Sequence, residues 1–338
     1  MRARRPPLWA ALLGLAVLLA ASLVVAVTLG PADVTVADSL ASLGHHLGLP
    51  LEPPERLEDA IVWELRAPRS VTAALVGAGL AMSGAVMQSL TRNPLADPYL
   101  LGLSSGASLG AVAVLVLGAA LALPAAAFLG ALGALALSVT IARAAGALTP
   151  TRTVLAGLAV SQACAAATSV VIFWTATGDS YREIVTWLLG SVAGADWGSV
   201  QLAGLALVLV GLVLLTQART LDAFAFGDTA AASLGVHVER TRWLLLTAVA
   251  LLTGAMVAVS GAIGFVGLVL PHTVRLVLGA LHRRLLPTVA LVGALFLLWA
   301  DTLARTVVEP RELPVGVVTA LVGVPVFVAL LRRRSGWS

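Results

Sequence analysis

The residues able to do acid–base, nucleophilic or metal chemistry are few in this 338-residue chain: 17 carboxylates, five histidines and one cysteine. Their spacing speaks against each chemistry in turn. There is no H-E-x-x-H, no working pair of carboxylates and no nucleophile beside a base, so an enzyme is poorly supported. His45 and His46 are adjacent, and His272 and His282 lie far along the chain. None has a carboxylate or second histidine at a ligand spacing such as i+4, so all four read as solvated or capping side chains. Cys164 lies inside an apolar run, which excludes an internal disulfide and a thiolate cluster and leaves a small packed residue. All 21 basic residues are arginine, so the chain has no P-loop lysine and no amine for a Schiff base.

A different kind of chemistry is suggested by Arg92 to Ser108, "RNPLADPYLLGLSSGAS". Pro94 and Pro98 remove backbone donors, and Arg, Asn and Asp add polar groups that lipid could not satisfy. Such a stretch belongs at a surface or along a water-filled path.

The elements that must position it follow from composition. Mean hydropathy is +0.99 and only 11% of residues are charged, the profile of a polytopic helical membrane protein. Apolar spans are predicted at 8–29, 67–90, 99–121, 125–142, 153–175, 198–217, 243–263, 265–281, 286–304 and 314–331, ten in all. The run from Tyr99 to Ala142 would be about 66 Å as one helix, more than twice a bilayer core, so it must turn, and Pro124 is the expected place. The run from Trp243 to Leu281 must break as well, at the glycine-rich "SGAIGFVG" from Ser260 to Gly267. The fold class is therefore all-α, and the chain is a single membrane domain over 1–338.

Charge orients the bundle. With the N-terminus inside, 15 of the 21 arginines fall on the inner side and 13 of the 17 acidic residues on the outer, many of the latter in the first outer loop from Asp33 to Glu64. That obeys the positive-inside rule and puts both termini in the cytoplasm. The N-terminal apolar run is long and no A-x-A site follows, so it reads as a retained first helix rather than a cleaved signal. An internal repeat is expected as well. Ser83-Gly84-Ala85 with Pro94 matches Ser260-Gly261-Ala262 with Pro271, giving an inverted pair at about 66–175 and 243–331, the plan of many transporters.

Arg66 to Ala107, "RAPRSVTAALVGAGLAMSGAVMQSLTRNPLADPYLLGLSSGA", resembles the FecCD-type permeases, membrane subunits of ATP-binding-cassette (ABC) importers for ferric siderophores, haem and vitamin B12. "AFGDTAAASLGV" (Ala225 to Val236), "GAIGFVGLVLPHTVR" (Gly261 to Arg275) and "ELPVGVVTALVGVPVF" (Glu312 to Phe327) fit the same family in the same order. The resemblance implies a ten-helix type II importer permease working as a homodimer or related heterodimer in the bacterial inner membrane. Two separate ABC ATPase subunits would bind ATP and Mg inside, and a substrate-binding protein would deliver a ferric siderophore or similar chelate outside; haem and vitamin B12 are the alternatives. This chain itself would bind no cofactor and no nucleic acid. By the same resemblance, Asn93 and Leu95, with Pro150 and Thr151 in the loop "LTPTRT", form a cytoplasmic gate, although relatives often carry a small hydroxyl residue where Pro150 stands. Arg66, Arg69 and Arg305 would receive glutamates of the binding protein.

The loop at 218–241 contains a stub, Gly227 to Gly235, which the residues themselves describe as a short helix with Asp228 capping its first turn and Gly235 ending it. The resemblance makes it the coupling helix that enters the ATPase, with Ala230, Ala231 and Leu234 as its packing face. An ion-coupled carrier is the competing transporter class. It needs carboxylates inside the membrane, and Asp301 is the nearest to one; Arg305 at i+4 is its expected partner.

Overall fold

The computed structural model describes residues 7–30, 32, 34–117, 122–144, 146, 149–175, 178–308 and 311–334. Arg2, Arg4 and Arg5, which enter the charge count, lie outside them. The described residues are helical throughout, with short connections: α1 (Leu8–Thr28), α2 (Val36–His46), α3 (Arg56–Ala60) followed by a π turn (Ile61–Arg66), α4 (Ala67–Leu90), a 3-10 turn (Pro98–Leu101), α5 (Leu103–Leu117), α6 (Leu123–Ala144), α7 (Pro150–Thr175), α8 (Gly178–Leu189), α9 (Trp197–Thr216), α10 (Ala218–Ala225), α11 (Asp228–Ser233), α12 (Val238–Ser260), α13 (Val266–Leu278), α14 (His282–Thr306) and α15 (Val315–Arg334). Seven helices are long and apolar enough to cross a membrane, and α5, α13 and α15 are shorter apolar helices, so ten apolar segments stand where ten spans are expected.

Pro68 opens α4, where its missing N–H costs nothing. The helix then runs through the middle of the bundle, and every residue but Val71 and Leu75 is buried. Its small residues make that possible. A Cβ on Gly77 would strike the backbone of Gly293 in α14, and one on Gly84 would strike that of Gly267 in α13, so both crossings need glycine. At the periphery, α9 turns Leu205, Val208, Leu209 and Leu212 outward, the apolar face expected toward lipid.

Both expected breaks occur. α6 begins at Leu123 with Pro124 in its first turn, and α12 stops at Ser260 before five non-helical residues. The two matching triplets take different local structures. Ser83-Gly84-Ala85 is continuous helix inside α4, whereas Ser260-Gly261-Ala262 is the end of α12, with Gly261 at φ 64°. Pro94 lies in a loop and Pro271 within α13. The small residues match because both stretches sit at close backbone contacts, which needs no shared local structure.

Two ends serve as landmarks. The Arg69 end gathers the start of α4 and the ends of α1 and α14. The His282 end gathers the end of α4, the start of α14, α10 and α11.

Candidate functional site

At the His282 end the polar stretch after α4 is a compact loop whose polar side chains build its turns. Asn93 Oδ1 accepts the Leu95 N–H at 3.0 Å, and Asp97 Oδ1 accepts the Tyr99 N–H at 2.8 Å and so opens the 3-10 turn. Burial pushes the Asp97 carboxyl up to about 6, against the pull of that N–H. The 3-10 turn packs on α7 at Gly157, where the Leu100 carbonyl leaves no room for a side chain. Asn93 and Leu95 remain exposed. Pro150 begins α7 and Thr151 follows it, also exposed; the Pro150 side chain lies outside the described residues.

The loop also meets the break of the second half. Tyr99 Oη donates to the Ile263 carbonyl at 3.0 Å and accepts the Ile263 N–H at 3.2 Å. Arg92 (φ 50°) starts the first of these loops and Phe265 (φ 70°) ends the second, the two non-glycine residues of positive φ among the described residues. Such strain persists only where surroundings enforce it, and it marks both loops as places for function.

The stub is a helix, α11, with Gly227 (φ 103°) before it and Gly235 (φ 83°) after it. Two details differ from expectation. Asp228 does not cap the helix; its carboxylate accepts Arg242 Nη2 of α12 at 2.7 Å. Ala231 faces inward and is fully buried, so it cannot pack on a partner, whereas Leu234 is 70% exposed and Phe226, just before the helix, 81%. Ala230 is half-buried. The outward apolar pair is therefore Phe226 and Leu234.

Nearby lies an arrangement that spacing along the chain conceals. His282 is 1% exposed. Its Nδ1 meets Asp222 Oδ1 of α10 at 2.6 Å, and its Nε2 meets Ser89 Oγ of α4 at 2.5 Å. A serine, a base and an orienting carboxylate do come together, contrary to the reading from sequence, because the fold joins positions 193 and 60 residues apart. At the opposite end His46 is likewise no isolated side chain. It meets Asp59 at 3.2 Å and stacks on Trp63 at 4.1 Å, while Ser42 holds the same carboxylate at 2.6 Å. No group of three metal-ligating residues occurs among the described residues.

At the Arg69 end the three arginines expected to receive the binding protein's glutamates are bonded within the chain. Arg69 lays Nε and Nη2 along the Asp301 carboxylate at 3.0–3.2 Å and gives Nη1 to Glu312 at 2.7 Å. Arg66 donates to the carbonyls of Val27 and Thr28 at 3.1 Å and of Ala32 at 2.7 Å, and Arg305 to that of Ala26 at 2.6 Å. All three arginines are under 9% exposed. Arg66 and Arg305 close the last turn of α1, whose carbonyls have no helical partner, and suit the negative end of its dipole. None presents a free fork to another protein. Asp301 pairs with Arg69 across the bundle rather than with Arg305 one turn along: a fork from a facing helix can lie along both carboxylate oxygens.

The same end holds a cavity of about 1120 Å³ between α8, the loop after it and the end of α12, lined among others by Arg182, Glu183, Trp187, Ser191, Asp196 and Ser199. Asp196 accepts the Ser199 hydroxyl at 2.7 Å and caps α9 through the Ser199 N–H at 2.8 Å, and those bonds hold its carboxyl below the usual range.

The model of the FecCD transport family matches residues 12–333. The cobalamin import permease BtuC of Halobacterium salinarum is 44% identical over 81% of this chain and 74% of its own length. The hemin transport permease HmuU of Yersinia pestis is 43% identical over 81% and 84%, and the uncharacterised ABC permease YvrB of Bacillus subtilis 43% over 81% and 79%. Among solved structures, a metal-chelate type ABC transporter in an inward-facing conformation superposes with a TM-score of 0.83 at 31% identity, over 95% of this chain and 98% of that one. PsaBC from Streptococcus pneumoniae shares the fold at a TM-score of 0.56 and 16% identity.

Proposed function

Because this chain belongs to the FecCD transport family, and so is the membrane permease of an ABC importer, we propose that with a second copy of itself or a related chain it forms the path for a bulky metal chelate. The observation that carries this is the match, over 81% of the chain by sequence to permeases named for cobalamin and hemin and over 95% of it by fold to a metal-chelate transporter. An ion-coupled carrier is set aside with it. So is an enzyme: the motor belongs to a separate ATPase.

In this reading the His282 end, which holds Arg92, Arg143, Arg219, Arg240, Arg283 and Arg284, faces the cytoplasm. Phe226 and Leu234 are its contact with the ATPase, the exposed apolar pair that such an interface would bury. Leu95, exposed beside its Asn93 turn, and Thr151 at the start of α7 are the gate, which the second copy completes. The cavity beside Trp187 and Asp196 opens at the outer end and receives the chelate from the binding protein; about 1120 Å³ is at the upper limit of small-molecule pockets. The named relatives make a tetrapyrrole, corrin or porphyrin, the first substrate to test, and a ferric siderophore, the expectation from sequence, the second.

Uptake of labelled cobalamin, haemin and ferric siderophore is the test, in a strain lacking the gene and in the same strain with it restored. Restored, ATP-dependent accumulation of one of the three is expected. Equal accumulation with and without the gene for all three would overturn the assignment.

A further inference from the structure

We propose that the hydrogen-bonded chain Asp222, His282, Ser89 is a positioning device that passes movement of the ATPase-facing segment to α4 and to the loop after it. The proposal rests on the permease reading above. It begins with α10, which lies against α4 and α14 with Leu221 and Phe224 fully buried. Between those anchors Asp222 turns its carboxylate to the start of α14, where Oδ1 accepts the His282 backbone N–H at 2.9 Å and meets Nδ1 at 2.6 Å. An ionised carboxylate only accepts, so Nδ1 carries the proton. Nε2 is left facing Ser89 Oγ at 2.5 Å, one residue before the end of α4.

The imidazole is a flat spacer with one nitrogen committed to each side. At 1% exposure no water can take over either bond, so displacing α10 means moving α4 or leaving a buried polar group unpaired. One further tie holds the same segment: Asp228 is bonded to Arg242 of α12, while the Arg92 guanidinium, from the first residue of the loop, lies close over Gly227, 3.2 Å from where a Cβ would stand. Residues 222–228 are thus fastened to α14, α4 and α12 on one side and expose Phe226 on the other.

The connectivity is that of a Ser-His-Asp hydrolase, but the geometry is not. Ser89 is 5% exposed and its hydroxyl lies 3.0 Å from the Ala85 carbonyl, so no acyl group can reach Oγ. The chain positions helices and does not react.

His282→Asn and His282→Gln separate the two halves of the link. Asparagine puts an amide nitrogen near the place of Nδ1 and keeps Asp222; glutamine reaches the place of Nε2 and keeps Ser89. Each would be measured in vesicles containing the whole complex of permease, ATPase and binding protein, with chelate uptake and ATP hydrolysis read from the same sample. Both variants should assemble and hydrolyse ATP while the chelate moved per ATP falls about tenfold. Ser89→Ala should give the same loss, and combining it with His282→Asn should add nothing, as for two ends of one link. A merely structural role would lower the yield of complex and leave uptake per ATP unchanged. That result, or full coupling in His282→Asn, overturns the proposal. A wild-type complex that carries none of cobalamin, haemin and ferric siderophore overturns the permease reading, and the relay with it.

Discussion

At the Arg69 end every singled-out charge is turned inward. Arg69 lies along Asp301 and reaches Glu312, and Arg66 and Arg305 are spent on the carbonyls of α1. At the His282 end two carboxylates are also engaged, Asp228 by Arg242 and Asp222 by the His282 ring, but apolar groups face out, with Leu234 at 70% and Phe226 at 81% exposure. A charge that breaks a sequence pattern is thus a poor pointer to an interface, because the fold itself has helix ends to close and carboxylates to pair. Exposed apolar side chains on a short, well-anchored helix are the better pointer: the fold gains nothing by leaving them there.

That contrast breaks first, and with the largest effect, at Arg69. Arg69→Ala leaves Asp301 buried beside no cation at its Nε and Nη2 positions, and should cost about 3–5 kcal/mol of stability. Thermal unfolding of the detergent-solubilised permease reads this directly. If the variant unfolds with the wild type and only loses affinity for a binding protein, Arg69 is a docking residue after all.

A second comparison sets two carboxylates against each other. Asp301 has an arginine; Asp97 accepts the Tyr99 N–H and has no ion pair among the described residues. With its folded pKa raised to about 6 from 3.8, Asp97 contributes stability that is complete below about pH 4 and is lost as the pH rises through about 6. Asp97→Asn keeps the acceptor for Tyr99 and should stabilise the protein at pH 7 by on the order of 1–3 kcal/mol, with no difference at pH 4. Melting curves across that range check the sign.

Leu234→Asp should move stability least, within about 0.5 kcal/mol, because the side chain is already in solvent. It should nonetheless abolish transport, since an unpaired charge would be forced into the ATPase groove. A stable variant that still transports would reduce α11 to a connection.

The parts of the molecule legible in the sequence are those set by local composition. The ten apolar segments, the break before Gly261, the turn at Pro124 and the stub between Gly227 and Gly235 each depend on residues within a turn or two of one another. The sites were less legible because they are made across the fold. Arg69 and Asp301 are 232 positions apart and Ser89 and His282 are 193 apart, and nothing in either neighbourhood announces the partner. Asp301 was matched to Arg305 because i+4 is what a sequence displays. The matching Ser-Gly-Ala triplets take different local structures for a related reason: small residues mark close helix contacts wherever these occur, whatever the register.

The central claim is that the His282 end is the cytoplasmic, ATPase-bearing end and that Leu234 stands in that contact. It is tested most directly by a single cysteine at Leu234, with Cys164 replaced by serine, in intact cells that also express the ATPase. The account predicts a crosslink between this cysteine and the ATPase subunit, and no labelling by a membrane-impermeant maleimide added outside. Labelling from outside, or no crosslink under conditions where the complex still purifies with its ATPase, would contradict it.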